Sequence, residues 1–139
     1  MSGEIRQKMV EGIENSDVIV VFITDAYLNK INSGNGRDNY LYEFKHAFEQ
    51  KGPEVMIPVV MEPCMRNARD WHGLLGAALS THLYIDFSSS FTDDATFDAK
   101  VNELVSSIGA LLPWSAHHHC CRKVATIIPE LLQLCVKIQ

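Results

Sequence analysis

Asp17-Val18-Ile19-Val20-Val21-Phe22-Ile23-Thr24 is the stretch on which the fold turns. Val18 to Ile23 is an unbroken run of six apolar residues, most of them β-branched. A strand with one wet face would alternate apolar and polar positions, and this one does not. A strand hidden on both faces belongs in a parallel sheet with helices packed on either side.

Reading outward from it gives the same class. Upstream, Ile5, Met9 and Ile13 recur at helical spacing among Glu, Arg, Gln and Lys, predicting a short amphipathic helix over 4–15 that Asn15-Ser16 ends. Downstream, residues 29–39 are dense in turn formers and predict a loop. Within it Gly34-Asn35-Gly36 reads as a flexible turn, because neither G-x-x-x-x-G-K-[S/T] nor G-x-G-x-x-G follows. Asp38 or Asn39 can cap a helix with Leu41, Phe44 and Phe48 on one face, which Lys51-Gly52-Pro53 ends. EVMIPVVM (54–61) predicts a second buried strand, in which Pro58 either removes a ladder bond or forces a bulge. A long connection, 62–81, holds a weakly helical piece at 74–79, and HLYIDF (82–87) predicts a third, shorter strand. Asp93 or Asp94 starts a helix carrying Phe97, Val101, Leu104, Val105, Ile108 and Leu112, and Pro113 stops it. Helices and short buried strands in alternation build a parallel sheet through right-handed crossovers.

Composition narrows the function classes. The 139 residues fit one domain, and 47% apolar with 21% charged residues is the balance of a soluble globular protein. A net charge of −5 with scattered basic residues argues against nucleic acid as a partner. No apolar run approaches the roughly 20 residues that span a bilayer, and the first residues lack the apolar core of a secretory signal. Cys64, Cys120, Cys121 and Cys135 do not form a disulfide pattern, so a reducing, cytoplasmic setting is expected. His117-His118-His119-Cys120-Cys121 has metal-ligand residue types, but adjacent residues cannot converge on one ion as C-x₂₋₄-C and H-x₃₋₅-H pairs do, so no metal site is expected there. Residues 114–123 break the pattern, and 124–137 could form a separate apolar helix.

Five segments, in order, carry a family resemblance. A helix ending Ile13-Glu14-Asn15-Ser16 leads into DVIVVFITDAYL (17–28), with its closing Thr and then Tyr27-Leu28. DNYLYEF (38–44) follows with Glu43, then EVMIPVVME (54–62), then HLYIDFSS (82–89), then the helix at 93–112. Together they resemble a TIR (Toll/interleukin-1 receptor) domain. The resemblance implies a flavodoxin-like α/β three-layer sandwich, with a partial TIR domain at 1–112 and a tail at 113–139 that could hold an extra helix. It also exposes departures: nothing before Ile5 supplies the opening strands, leaving about three, and the Cys that often precedes the helical Glu is absent. In the family strand order 2-1-3-4-5, the first strand lies beside residues 17–24. Without it that strand becomes an open edge, which favours aggregation or pairing with another chain.

The resemblance implies two functions of different kinds. One is an intracellular signalling module that works by homotypic contact with other TIR domains or by self-association. The other is an NAD+ glycohydrolase with Glu43 as the catalytic carboxylate, NAD+ being its substrate and no cofactor being needed. The nicotinamide–ribose bond breaks through an oxocarbenium-like transition state that one carboxylate can stabilise, and nicotinamide leaves neutral, so no acid is required. Trp71, where the family often has an aromatic residue, offers a ring for stacking on the ligand. The residues alone give blander readings: Glu43, in mid-helix between Tyr42 and Phe44, is a solvated side chain, and Trp71 is a packing residue. A third reading is a flavodoxin-like fragment with no retained activity. No Ser-His-Asp or Cys-His constellation stands out.

Overall fold

The computed structural model describes residues 2–33, 39–111, 122–127 and 136–138. Helix α1 (Ser2–Glu14) buries Met9 and Ile13 and ends where the Ser16 hydroxyl bonds the Gly12 carbonyl. That bond explains the Ser after the helix: it satisfies a last-turn carbonyl that has no partner within the helix. Lys51 Nζ donates to the Glu14 carbonyl at 2.8 Å and closes the same terminus. Strand β1 (Val18–Ile23) follows, and its two faces divide the core. Ile19, Val21 and Ile23 join a cluster with Ile13, Leu28, Phe44 and Leu75, while Val18 and Val20 join Ile57, Val59, Phe87 and Ile108.

Helix α2 (Asp25–Asn32) overturns part of the loop expected over 29–39. Thr24 caps it, its hydroxyl accepting the Tyr27 amide at 3.1 Å, and Tyr27, Leu28 and Ile31 are buried against the sheet. Burial of that face outweighs the turn preference of Asn29 and Asn32. The Gly34–Gly36 turn and Asp38 lie outside the described residues. Helix α3 (Asn39–Lys51) ends at Gly52, whose φ of +83° is one that residues with a side chain rarely adopt.

Strand β2 (Met56–Val60) pairs parallel to β1 in unbroken register from Ile19↔Met56 to Ile23↔Val60, so Pro58 causes no bulge. The alternation shows why. The Met61 amide donates to Ile23 and the Val60 carbonyl accepts from Phe87, so Pro58 faces the side of β3 (Ile85–Asp86). That strand pairs with β2 only at Val59 and Val60, so its ladder does not reach the missing N–H. Between β2 and β3, α4 (Gly73–Leu79) occupies the weakly helical piece. Helix α5 (Asp94–Leu111) begins at an Asp93 cap, whose carboxylate accepts the Thr96 amide at 2.7 Å. It covers the second face with Val101, Leu104 and Ile108. The three parallel strands and their helices make the expected flavodoxin-like α/β sandwich.

The tail adds to this sheet. Strand β4 (Arg122–Ile127) pairs parallel to β1 over Val18–Val21, and β5 (Val136–Ile138) pairs antiparallel to β4, giving the order β3-β2-β1-β4-β5. Two expectations are corrected here. The described residues of 124–137 are strand, not helix, and β1 is not an open edge. The reason is the same for both. Val18–Ile23 carries unpaired backbone groups along one side, and a short β-branched segment satisfies them better as strand than as helix. The winding agrees: two crossovers step outward with helices on one face, and the third steps back with α5 on the other, so all share one hand.

Candidate functional site

Glu43 sits in the middle of α3 and is 6% exposed, so it is not the solvated side chain its neighbours in sequence suggest. One turn before it, the Asn39 side chain accepts from Arg6 Nε of α1 at 3.2 Å. One turn after it, His46 Nε2 lies 3.5 Å from the Glu14 carboxylate, also of α1. Residues three and four apart share a helix face, so Glu43 belongs to the side of α3 packed on α1, between these two contacts. Its neighbours along α3 carry aromatic rings. Tyr42 stacks on His46 at 6.2 Å with the Arg6 guanidinium 4.9 Å from its ring, and Tyr40 meets Tyr27 edge-on at 6.1 Å. Lys30 Nζ stands 4.2 Å from the Tyr40 ring. A carboxylate held in such a rigid, largely dry setting acts more strongly on a developing positive charge than one in water.

Trp71 is 3% exposed and packs in the core cluster, edge-on to Tyr84 at 5.6 Å. Its indole N–H donates to the Met65 carbonyl at 2.8 Å. The indole is thus packed into the core on the side of the sheet covered by α2, α3 and α4. Glu43 and Trp71 sit on segments that cover the same face of the sheet. Helix α2 packs against both α3 and α4, and Asn32 ties it to the His72 carbonyl at 2.9 Å, next to Trp71.

In open parallel sheets, ligands bind beyond the carboxyl ends of the strands. There the structure gathers polar groups that the sequence did not single out. The Glu62 carboxylate accepts the Asp25 amide at 3.1 Å, at the start of α2. Arg66 Nε lies 3.3 Å from the Asp86 carboxylate and donates to the Ser88 hydroxyl at 2.8 Å, and the Tyr84 hydroxyl donates to the Arg66 carbonyl. Partial burial opposes ionisation of Asp86, yet the Ser88 hydroxyl and amide, with the charges of Arg66 and Lys100, together hold its carboxyl below the usual range. The only sequence signal for this cluster was Asp86 two residues before Ser88, the spacing of a side chain that bonds its own turn. Desolvation, then the charges of Glu62 and Asp25, push the exposed Cys64 thiol up, which keeps it protonated and weakly nucleophilic. Among the described residues no three His, Cys, Asp or Glu side chains converge as a metal site would require, and His117–Cys121 lies outside them. A groove of about 370 Å³ runs along the other end of the sheet, between Met56, Leu83, Tyr84 and Leu111, and neither Glu43 nor Trp71 lines it.

The TIR domain family model matches residues 1–105. The chain belongs to the TIR domain family. No curated protein and no solved structure matches it. The match covers α1 through most of α5, so the elements that position Glu43 all belong to the TIR domain. Membership gives the chain a TIR-type function in the general sense, of which signalling is one form. No helix among the described residues is long and apolar enough to cross a membrane.

Proposed function

We propose that this TIR domain acts in cytoplasmic signal transduction by homotypic association with other TIR domains. What supports this reading is the family match, taken with the polar groups at the carboxyl ends of the strands. Glu62, Arg66, Asp86 and Ser88 are engaged with one another or with helix ends, as befits a rigid scaffold. The test is sedimentation velocity of the chain alone and mixed with other TIR domains, against an unrelated flavodoxin-like protein of similar charge. Association with TIR domains and not with the control is expected; indifference to both would sink the proposal.

The second reading is cleavage of NAD+ at the nicotinamide–ribose bond, and the observation that favours it is the burial of Glu43. Its burial at mid-helix, 6% exposed, holds the side chain in one place beside α1, as a positioned catalytic group requires. Glu43 would steady the oxocarbenium character of the ribose while nicotinamide departs as a neutral molecule, and water would then complete hydrolysis. Nicotinamide release from NAD+ is expected to fall by ~10²-fold or more in Glu43→Ala, the scale of losing one electrostatic stabiliser of the transition state. Glu43→Gln keeps the shape and removes the charge. Equal turnover in both variants and in the parent chain would exclude the glutamate.

A further inference from the structure

Strand β1 has an acceptor edge, and the occupant of that edge comes from the far end of the chain. Val18, Ile19, Val20 and Val21 pair at Cα with Val124, Ala125, Thr126 and Ile127, across 106 positions of sequence. The four β1 residues are 0–1% exposed, and removal of β4 would leave the edge N–H and C=O groups of this apolar strand without their ladder. β4 itself is held by β1 on one side and β5 on the other, and no described helix packs on it to a comparable extent. The ladder of backbone bonds between β4 and β1 is one that any chain presenting the same strand in the same direction can make.

We propose that this edge exchanges strands: the β4–β5 pair of one copy docks on β1 of a second copy, and the two copies form a homodimer by reciprocal exchange. The best-matched occupant is a second copy, because the register on the edge is already that of this chain's own Arg122–Ile127. Reciprocal exchange remakes every contact of the single chain under two-fold symmetry, so it needs no new complementary surface. Residues 112–121, ten in number, join α5 to β4, and ten residues reach at most about 33–36 Å. That tether sets the competition. An intramolecular strand faces its site at an effective concentration on the order of a millimolar, so exchange gains ground as the protein approaches that level. The proposal is independent of Glu43, and it differs from association through TIR surfaces, which leaves β4 on its own β1.

The test uses two full-length copies in a background with Cys64, Cys120, Cys121 and Cys135 changed to Ser. One copy, ¹⁵N-labelled, carries Val18→Cys, and the other, unlabelled, carries Val124→Cys. Facing Cα atoms of adjacent strands stand within disulfide reach. The two are mixed over roughly 10 µM to 1 mM, a range bracketing the effective concentration of the tether. The mixture is then oxidised, digested and weighed. A heavy–light peptide pair joining positions 18 and 124, rising with concentration, is expected. A single chain carrying both cysteines gives the cross-link at every concentration and reports the pairing itself. No heavy–light product at any concentration, with the double variant cross-linked, overturns exchange and leaves surface association untouched. Failure of the double variant to cross-link overturns it too, since the edge would then hold no β4. Ile19→Cys with Ala125→Cys repeats the measurement at the next register pair, in case the first substitutions disturb folding.

Discussion

Gly76 shows how closely single atoms are set in this fold. A Cβ added there would collide with the backbone carbonyl of Trp71, which is fixed by the turn into α4 and cannot swing aside as a side chain could. Gly76→Ala is therefore expected to cost about 1–3 kcal/mol, the usual scale of overpacking, measured as a lower urea midpoint. An unchanged midpoint would mean the turn has room. Asp93 gives a pH signature. The Thr96 amide and hydroxyl hold its carboxyl below the usual range, so its stabilising effect is full above the ordinary aspartate pKa of about 3.9 and is lost as pH falls through the lower folded value. Asp86 acts in the same direction. The melting temperature should be level between about pH 5 and 7 and fall below about pH 4, less steeply in Asp93→Asn. At this scale the sequence was a mixed guide. It offered Asp93 or Asp94 as the start of α5 from residue type alone, but it made Glu43 a wet side chain, because burial of a helical glutamate depends on which helix comes to lie against it.

At the level of elements, what could be read and what could not follow a single physical line. β1 and β2 declared themselves through continuous β-branched runs, and α3 and α5 through apolar spacing closed by Gly52 and Pro113. Those signals are local. Helix α2 was hidden because Asn29 and Asn32 favour turns, and only the sheet beneath makes burial of Tyr27, Leu28 and Ile31 decisive. Its cap, Thr24, carries weight: Thr24→Ala should destabilise the fold by about 1 kcal/mol (range ~0.5–2) in chemical denaturation. A result indistinguishable from the parent chain would mean the Glu62 carboxylate at the Asp25 amide suffices by itself to start the helix. The second strand pair was harder still. Val124–Ile127 is a short, largely β-branched segment that periodicity alone does not assign to helix or strand, and the fact that decides it lies a hundred residues earlier, along the side of β1 that β2 leaves unpaired.

For the molecule as a whole, that pairing builds one sheet from both ends of the chain. Paired residues alternate in direction along a strand, so of Ala125 and Thr126 one presents its amide to β1. Replacing both with Pro should release β4 and raise light scattering at micromolar concentration above that of the parent chain; scattering equal to the parent's would show that β1 tolerates a bare edge. The same architecture imposes a timetable during synthesis. At roughly 5–20 residues per second, the ribosome finishes Ile127 about 5–20 s after Ile23, a lag set by the 104 positions between them. Throughout that interval β1 is made but unpaired on one side, inside a cell crowded with other nascent chains. Changes that weaken β4 should therefore be felt first as poor yield and dependence on chaperones, and only later, if at all, as a lower melting temperature of the purified protein.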